Sequence, residues 1–271
     1  MQSNEASTLD EAFVFYLGVF ESGFSPTGEN VDAWAEHWTT VDAVNYNPDY
    51  QIFNARHTTT DSDPVPGTRG YIWGIRRDAN LQEWVLISDP AWTWPSNELL
   101  GMKVSWMVAD ASEAIIGVIN NGTHHIVTEN VGNAPLPKVD YAIWAKRFFA
   151  DGDANADVNA DPDSNGRVNA LDFALDDNPA QTGSNKTIES GIFEVVQDAE
   201  APNGERYLAV IITPSIDANV TFSGTVADDP TFTQNPTPAV VEELADGRLM
   251  IRDSEPSNNL AQAKFLKVNV E

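Results

Sequence analysis

Cysteine is absent from this 271-residue chain. That excludes disulfides, thiolate zinc sites and a cysteine nucleophile. Basic residues are scarce: 15 Lys and Arg stand against 41 Asp and Glu, for a formal net charge of -26. Such a surface repels phosphate backbones and anionic membranes, so no nucleic-acid partner is expected. It attracts divalent cations, and it stays soluble in saline water, where screening limits self-repulsion. No apolar run approaches the roughly 20 residues of a membrane span, so no membrane insertion is expected. No signal peptide is evident; "MQSNEAS" reads as an initiator Met before a mature exported terminus, the signal having been removed. No G-x-S-x-G elbow surrounds any serine, and no glycine loop of phosphate-binding length occurs. Of the histidines, His37 and His57 stand alone, and His124 and His125 would face opposite sides of a strand, so no zinc site is expected.

What is present is enough apolar material for real cores: 42% hydrophobic residues, with eight Trp and twelve Phe. The length points to about two domains. The pattern predicts a mainly β protein, with two antiparallel β domains joined by a helix–calcium loop–helix segment. Residues 1–132 are read as an antiparallel β domain with a short helix. Its strands are FVFYLGVF (Phe13–Phe20), RGYIWGIRR paired with EWVLISD, KVSWMVAD, and a hairpin of AIIGVIN and HHIVTE across Asn-Gly. Val31, Trp34 and Trp38 share helical spacing after Thr27 and Asn30, either of which can cap. Residues 133–180 are read as linker, helix and calcium loop: VGNAPLPK as linker, Val139–Ala150 as a helix, and NALDFALDD as a second short helix. Residues 181–271 carry six short strands with turn signals, from IFEVVQD to AKFLKVNVE, and predict a β-sandwich.

The chemistry concentrates in DGDANADVNADPDSNGRVNALDFALDDNP, Asp151–Pro179. With Asp161 as position one, Asp163 falls at three, Asn165 at five and Gly166 at six. Arg167 offers its backbone carbonyl at seven, Val168 is an apolar eighth residue able to pack inward, Asn169 is at nine and Asp172 closes at twelve. This is the ligand order of an EF-hand loop. Calcium, a hard cation, takes six to eight oxygens, and alternate residues of a tight loop direct theirs inward. The metal ligands expected are Asp161, Asp163, Asn165, Arg167, Asn169 and Asp172. Upstream, Asp151, Asp153, Asn155, Asp157 and Asn159 fit no complete second loop; they are candidates for a second ion, against the reading of a solvated acidic linker.

DPDSNGRVNALDFAL resembles a dockerin-type calcium loop, a family in which Asn at nine and Asp at twelve are common, and it resembles the acidic calcium repeats of thrombospondin type 3. The wider stretch is similar to a segment of large secreted multidomain proteins of aquatic bacteria, of the form D-x-D-x-D-G-x-x-N-x-x-E-Y-A-L-G-x-x-P. This chain departs from it at Asn165 for Asp, Asp172 for Glu, Phe173 for Tyr and Asp176 for Gly. Calcium and export are what the resemblance implies; it supplies no reaction.

Together these readings predict an extracellular or cell-surface, calcium-binding structural or adhesive protein. Without the ion, Asp161, Asp163 and Asp172 repel one another; with it, the joint between the domains stiffens. Its expected partners are calcium and other copies of itself through exposed sheet edges, as in a fibre or matrix subunit. A second reading is a carbohydrate-binding module. Trp92 and Trp94 in DPAWTWPS would share one strand face and, if exposed, stack on surface polysaccharide; if buried they are core. A third is a secreted hydrolase with structural calcium, for which no nucleophile–base pair stands out.

Overall fold

Phe13–Phe20 forms strand β1, as its aromatic and β-branched composition predicts, and every one of its residues is buried. The structure is a computed structural model. It describes residues 9, 12–50, 52–54, 57–60, 64–76, 82–95, 101, 103–104, 106–120, 125–132, 134–150, 152–183, 186–195, 205–257 and 264–271. The chain is mainly β and divides into two compact units, Met1–Asp151 and Gly152–Glu271.

In the first unit β1 lies inside an antiparallel sheet ordered β2-β1-β3-β4-β5. Here β2 is Trp38–Asn45, β3 is Arg69–Arg76, β4 is Glu83–Thr93 and β5 is Glu113–Ile116. A strand buried on both faces needs a cover on each. One face of β1 (Phe13, Phe15, Leu17, Val19) packs with Ile72, Val85, Ile87, Trp92 and Trp94. The other is an aromatic layer. Phe20 meets Trp34 and Trp38 at 5.9 and 5.0 Å between ring centroids, and Trp73 meets Trp84 at 4.7 Å. Trp34 comes from the expected short helix, a 3-10 turn at Val31–Ala33 running into α1, Trp34–His37. The Asn30 side chain accepts from the backbone N–H of Thr27 and from Trp34 Nε1, both at 2.8 Å, which seats that indole.

The two hairpins read from the sequence are present. Strand β3 pairs with β4, and β6 (Val118–Asn120) pairs with β7 (His125–Val127). Their connections, 77–81 and 121–124, lie outside the described residues. AIIGVIN is divided, because Gly117 turns the backbone left-handed (φ 81°) between β5 and β6. A two-residue strand β8, Glu129–Asn130, adds beside β4. Among the described residues of KVSWMVAD the expected strand is not formed. Lys103 makes an isolated bridge to Thr58, and Val108–Asp110 is a 3-10 turn. Trp106 instead packs against the core of the sheet. A Cβ at Gly70 would come within 1.8 Å of its ring, so the glycine creates its place. VGNAPLPK, read as linker, is packed down within the first unit: Ala134, Leu136 and Pro137 are buried. The helix after it, α2, is shorter than expected and spans Tyr141–Ala145.

All six strands expected in the second unit are present as β9 (Glu189–Val195), β10 (Glu205–Ile212), β11 (Phe222–Ala227), β13 (Val240–Glu243), β14 (Leu249–Arg252) and β15 (Phe265–Val270). A two-residue strand, β12 (Thr237–Pro238), joins them. They form two antiparallel sheets, β13-β14-β10-β9 and β12-β11-β15, a sandwich-like arrangement. Ile212 and Ile251 of one sheet share a core with Phe222 of the other. Ala174 and Leu175 of α3 (Asn169–Leu175) close that core.

Candidate metal centre

The acidic segment from Gly152 onward belongs to the second unit. Its turn forms because two backbones adopt the left-handed region, Ser164 at φ 59° and Gly166 at φ 85°. A glycine at the sixth position is what such a turn requires. Carboxylates hold it. The Asn165 N–H donates to Asp161 Oδ1 (3.1 Å) and Asp163 Oδ1 (3.2 Å), and the Gly166 N–H donates to Asp161 Oδ2 (3.0 Å). The Asn165 side chain donates to Asp163 Oδ2 (2.8 Å) and accepts from the Arg167 N–H (2.8 Å). Asp161, Asp163 and Asn165 are therefore gathered in one turn, as the spacing predicts. Val168 departs from expectation: it is exposed rather than packed inward.

Helix α3 then carries Asn169 and Asp172 inward, and both are 0% exposed. Asn169 Nδ2 donates to the carbonyls of Asn155 (2.7 Å) and Asp157 (2.8 Å). Its Oδ1, and both carboxylate oxygens of Asp172, are buried with no hydrogen-bond donor. Burial pushes the Asp172 carboxyl up to about 6. The Arg167 charge opposes that rise, the Asp163 and Asp177 carboxylates add to it, and the Asn165 amide opposes it. The helix ends at Asp176, whose left-handed φ of 55° satisfies the last carbonyls, with its N–H directed to Asp172 and Phe173. Glycine is the residue that adopts such a backbone most readily.

The spacing gives Arg167 only a backbone carbonyl, yet its side chain folds back into the site. Its Nε lies 3.5 Å from Asp172 Oδ1, a guanidinium nitrogen bonds Asp177 Oδ2, and Nη1 donates to the Lys186 carbonyl at 3.0 Å. Asp177 is nearly fully buried and also accepts from the backbone N–H groups of Lys186 (2.6 Å) and Asn178 (2.9 Å). The "DD" of NALDFALDD was the available signal: a second buried acid needs a cation or several donors.

Calcium fits this donor set on one observation. Leaving a buried oxygen without a donor costs about 1–3 kcal/mol, more when it is charged. Three such oxygens at the ninth and twelfth loop positions are what a hard cation would satisfy. Asp161 and Asp163 engage the turn's amides instead, and among the described residues no three His, Asp or Glu side chains close on one point.

The remaining candidates are placed differently. Asp151 lies outside the described residues. Asp153, Asn155, Asp157 and Asn159 are exposed, and Asp153 and Asp157 each accept from the N–H two residues on, at Asn155 (2.9 Å) and Asn159 (2.8 Å). They form a self-capped, exposed turn. Trp92 and Trp94 are buried at 4% and 2% exposure. Trp92 stacks on Trp106 at 5.7 Å, and Trp94 meets the same ring edge-on at 5.2 Å. Rings enclosed in a core present no face to a sugar, so both are core residues. Comparison with family models, with curated proteins and with solved structures returns no match for this chain.

Proposed function

We propose that this is an extracellular, calcium-binding structural or adhesive protein of a cell surface or matrix. The single observation that carries the reading is the set of three buried acceptor oxygens on Asn169 and Asp172. Asp161, Asp163, Asn165, the Arg167 carbonyl, Asn169 and Asp172 would hold the ion. Calcium supplies positive charge where burial and neighbouring acids disfavour ionised Asp172. Because Ala174 and Leu175, one helical turn or less beyond Asp172, insert into the sandwich core, fixing Asp172 also fixes α3 against that core. The ion thereby stiffens the segment through which the chain enters its second unit.

Self-association follows from edges. Strands β9 and β13 are the outer strands of the four-stranded sheet, and β2 is an outer strand in the first unit. Outer strands pair with further chains unless blocked. The decisive experiment is calorimetric titration of calcium into chelator-treated protein, with melting followed in calcium and in chelator. Heat on titration is expected. At free calcium of about 100 times Kd, stability rises by about 2.7 kcal/mol. No heat and an unchanged melting temperature would overturn the reading. Size-exclusion in both conditions tests assembly, and a monomer in each removes it.

A further inference from the structure

The side chain of Arg167 sits where an EF-hand-type loop has no use for a positive charge. It is not a solvated surface cation: only 11% of the side chain is exposed. Its guanidinium is fixed by Asp177 and by the Lys186 carbonyl, and its Nε is left at ion-pair distance from Asp172. The guanidinium brings a full positive charge to the site. We propose that Arg167 is an internal competitor for the cation, sharing Asp172 with it and setting the site to low affinity. This rests on the calcium reading of the same loop.

A divalent ion bound through Asp172 has a fixed unit charge as a near neighbour on the same carboxylate. Like charges a few ångströms apart in a partly desolvated site repel strongly, and salt screens such a pair poorly. Withdrawal of Arg167 would relieve the repulsion. It would also break the bond to the Lys186 carbonyl and take the guanidinium away from the buried Asp177. Either way the arginine opposes binding. A site so tuned fills where calcium is millimolar, as extracellular modules do, and stays empty at the micromolar levels that load sensor loops.

The test is calorimetric titration of calcium into chelator-treated full chain, comparing wild type with Arg167→Met, which keeps an unbranched apolar stem and removes the charge. The variant is expected to bind at least about tenfold tighter. The double variant Arg167→Met/Asp177→Asn avoids a buried acid without its cation, and it is the reference should the single variant lose its folded circular dichroism; tighter binding is expected there too. Equal or weaker calcium affinity in a folded variant, with wild type binding normally, overturns the competitor role and makes Arg167 a support of the loop. Binding by neither wild type nor variant overturns the calcium reading itself, and the inference with it.

Discussion

The side-chain amide of Asn169 donates to the backbone carbonyl of Asp157 at 2.8 Å, twelve residues upstream. The same nitrogen reaches the Asn155 carbonyl at 2.7 Å, and its Oδ1 is left facing no donor. One amide thus ties the upstream turn to the start of α3 with its nitrogen and offers the site its oxygen. A carboxylate at this place would keep an acceptor but lose both donors, and it would point negative charge at two carbonyls. Asn169→Asp is therefore expected to lower stability in chelator by about 1–3 kcal/mol, although it adds a ligand charge. Thermal melting read by circular dichroism measures this. An unchanged or higher melting temperature would show that the tie is dispensable.

Asp172 gives a prediction that reverses sign with conditions. Without an ion its carboxylate is buried, and burial, with repulsion from Asp163 and Asp177, outweighs the attraction of Arg167 and the Asn165 amide. Asp172→Asn removes that charge with little change of shape. In chelator at neutral pH the variant is expected to melt higher than wild type, by an amount corresponding to about 1–3 kcal/mol. In millimolar calcium the order inverts, because the variant no longer gains from the ion. Parallel melting curves in the two media measure the crossing. A variant that is less stable in both would mean that the Arg167 ion pair already satisfies the carboxylate.

The sandwich strands were legible because each is short, alternates or runs apolar, and is bounded by turn residues; β10 (RYLAVIITP) and β14 (RLMIRD) needed nothing else. The turn was legible because its spacing is local: Asp161, Asp163, Asn165 and Gly166 lie within six residues and meet in one turn. What could not be read depended on distant partners. KVSWMVAD has strand composition, yet Trp106 was captured by a glycine, Gly70, far back in the chain. Trp92 and Trp94 have the spacing of an exposed pair, and only the sheet beneath them and Trp106 above decide that they are core. Arg167 reads as a surface residue until Asp177 and Lys186 fold back to receive it.

The burial of the tryptophans carries its own prediction. Trp92 lies nearly parallel to Trp106, at 7° between ring planes, and contributes to the core under β1. Truncating such a side chain removes a large buried area and leaves a cavity, at a cost of about 3–5 kcal/mol. Trp92→Ala is expected to lower the unfolding free energy of the first unit, read from urea denaturation, by that amount. Near-ultraviolet circular dichroism should lose intensity at the same time. A glycan array probed with the folded protein is expected to show no binding that depends on Trp92. A variant of wild-type stability that lost sugar binding would return the tryptophan to the surface.

The last prediction concerns acid. Asp229 organises the turn after β11: Oδ1 accepts from the Thr231 N–H at 2.8 Å and Oδ2 from the Thr233 N–H at 3.0 Å, while the Thr231 hydroxyl and the Gln234 N–H add two more bonds. The Thr231 hydroxyl is the largest cause, ahead of the backbone bonds, of a carboxyl held down at about 2, against an ordinary value of 3.8. A folded value below the unfolded one means that the native state binds the proton more weakly. The stabilisation is complete above about pH 4 and disappears as the pH falls toward 2. Amide protection at Thr231, Thr233 and Gln234, read by hydrogen exchange, is therefore expected to fall across that window in wild type. In Asp229→Asn it should be low and flat. The side chain is solvent-accessible, so the effect belongs to the turn rather than to the fold. Protection in wild type that persisted to pH 2 would show that the turn is held by its backbone alone.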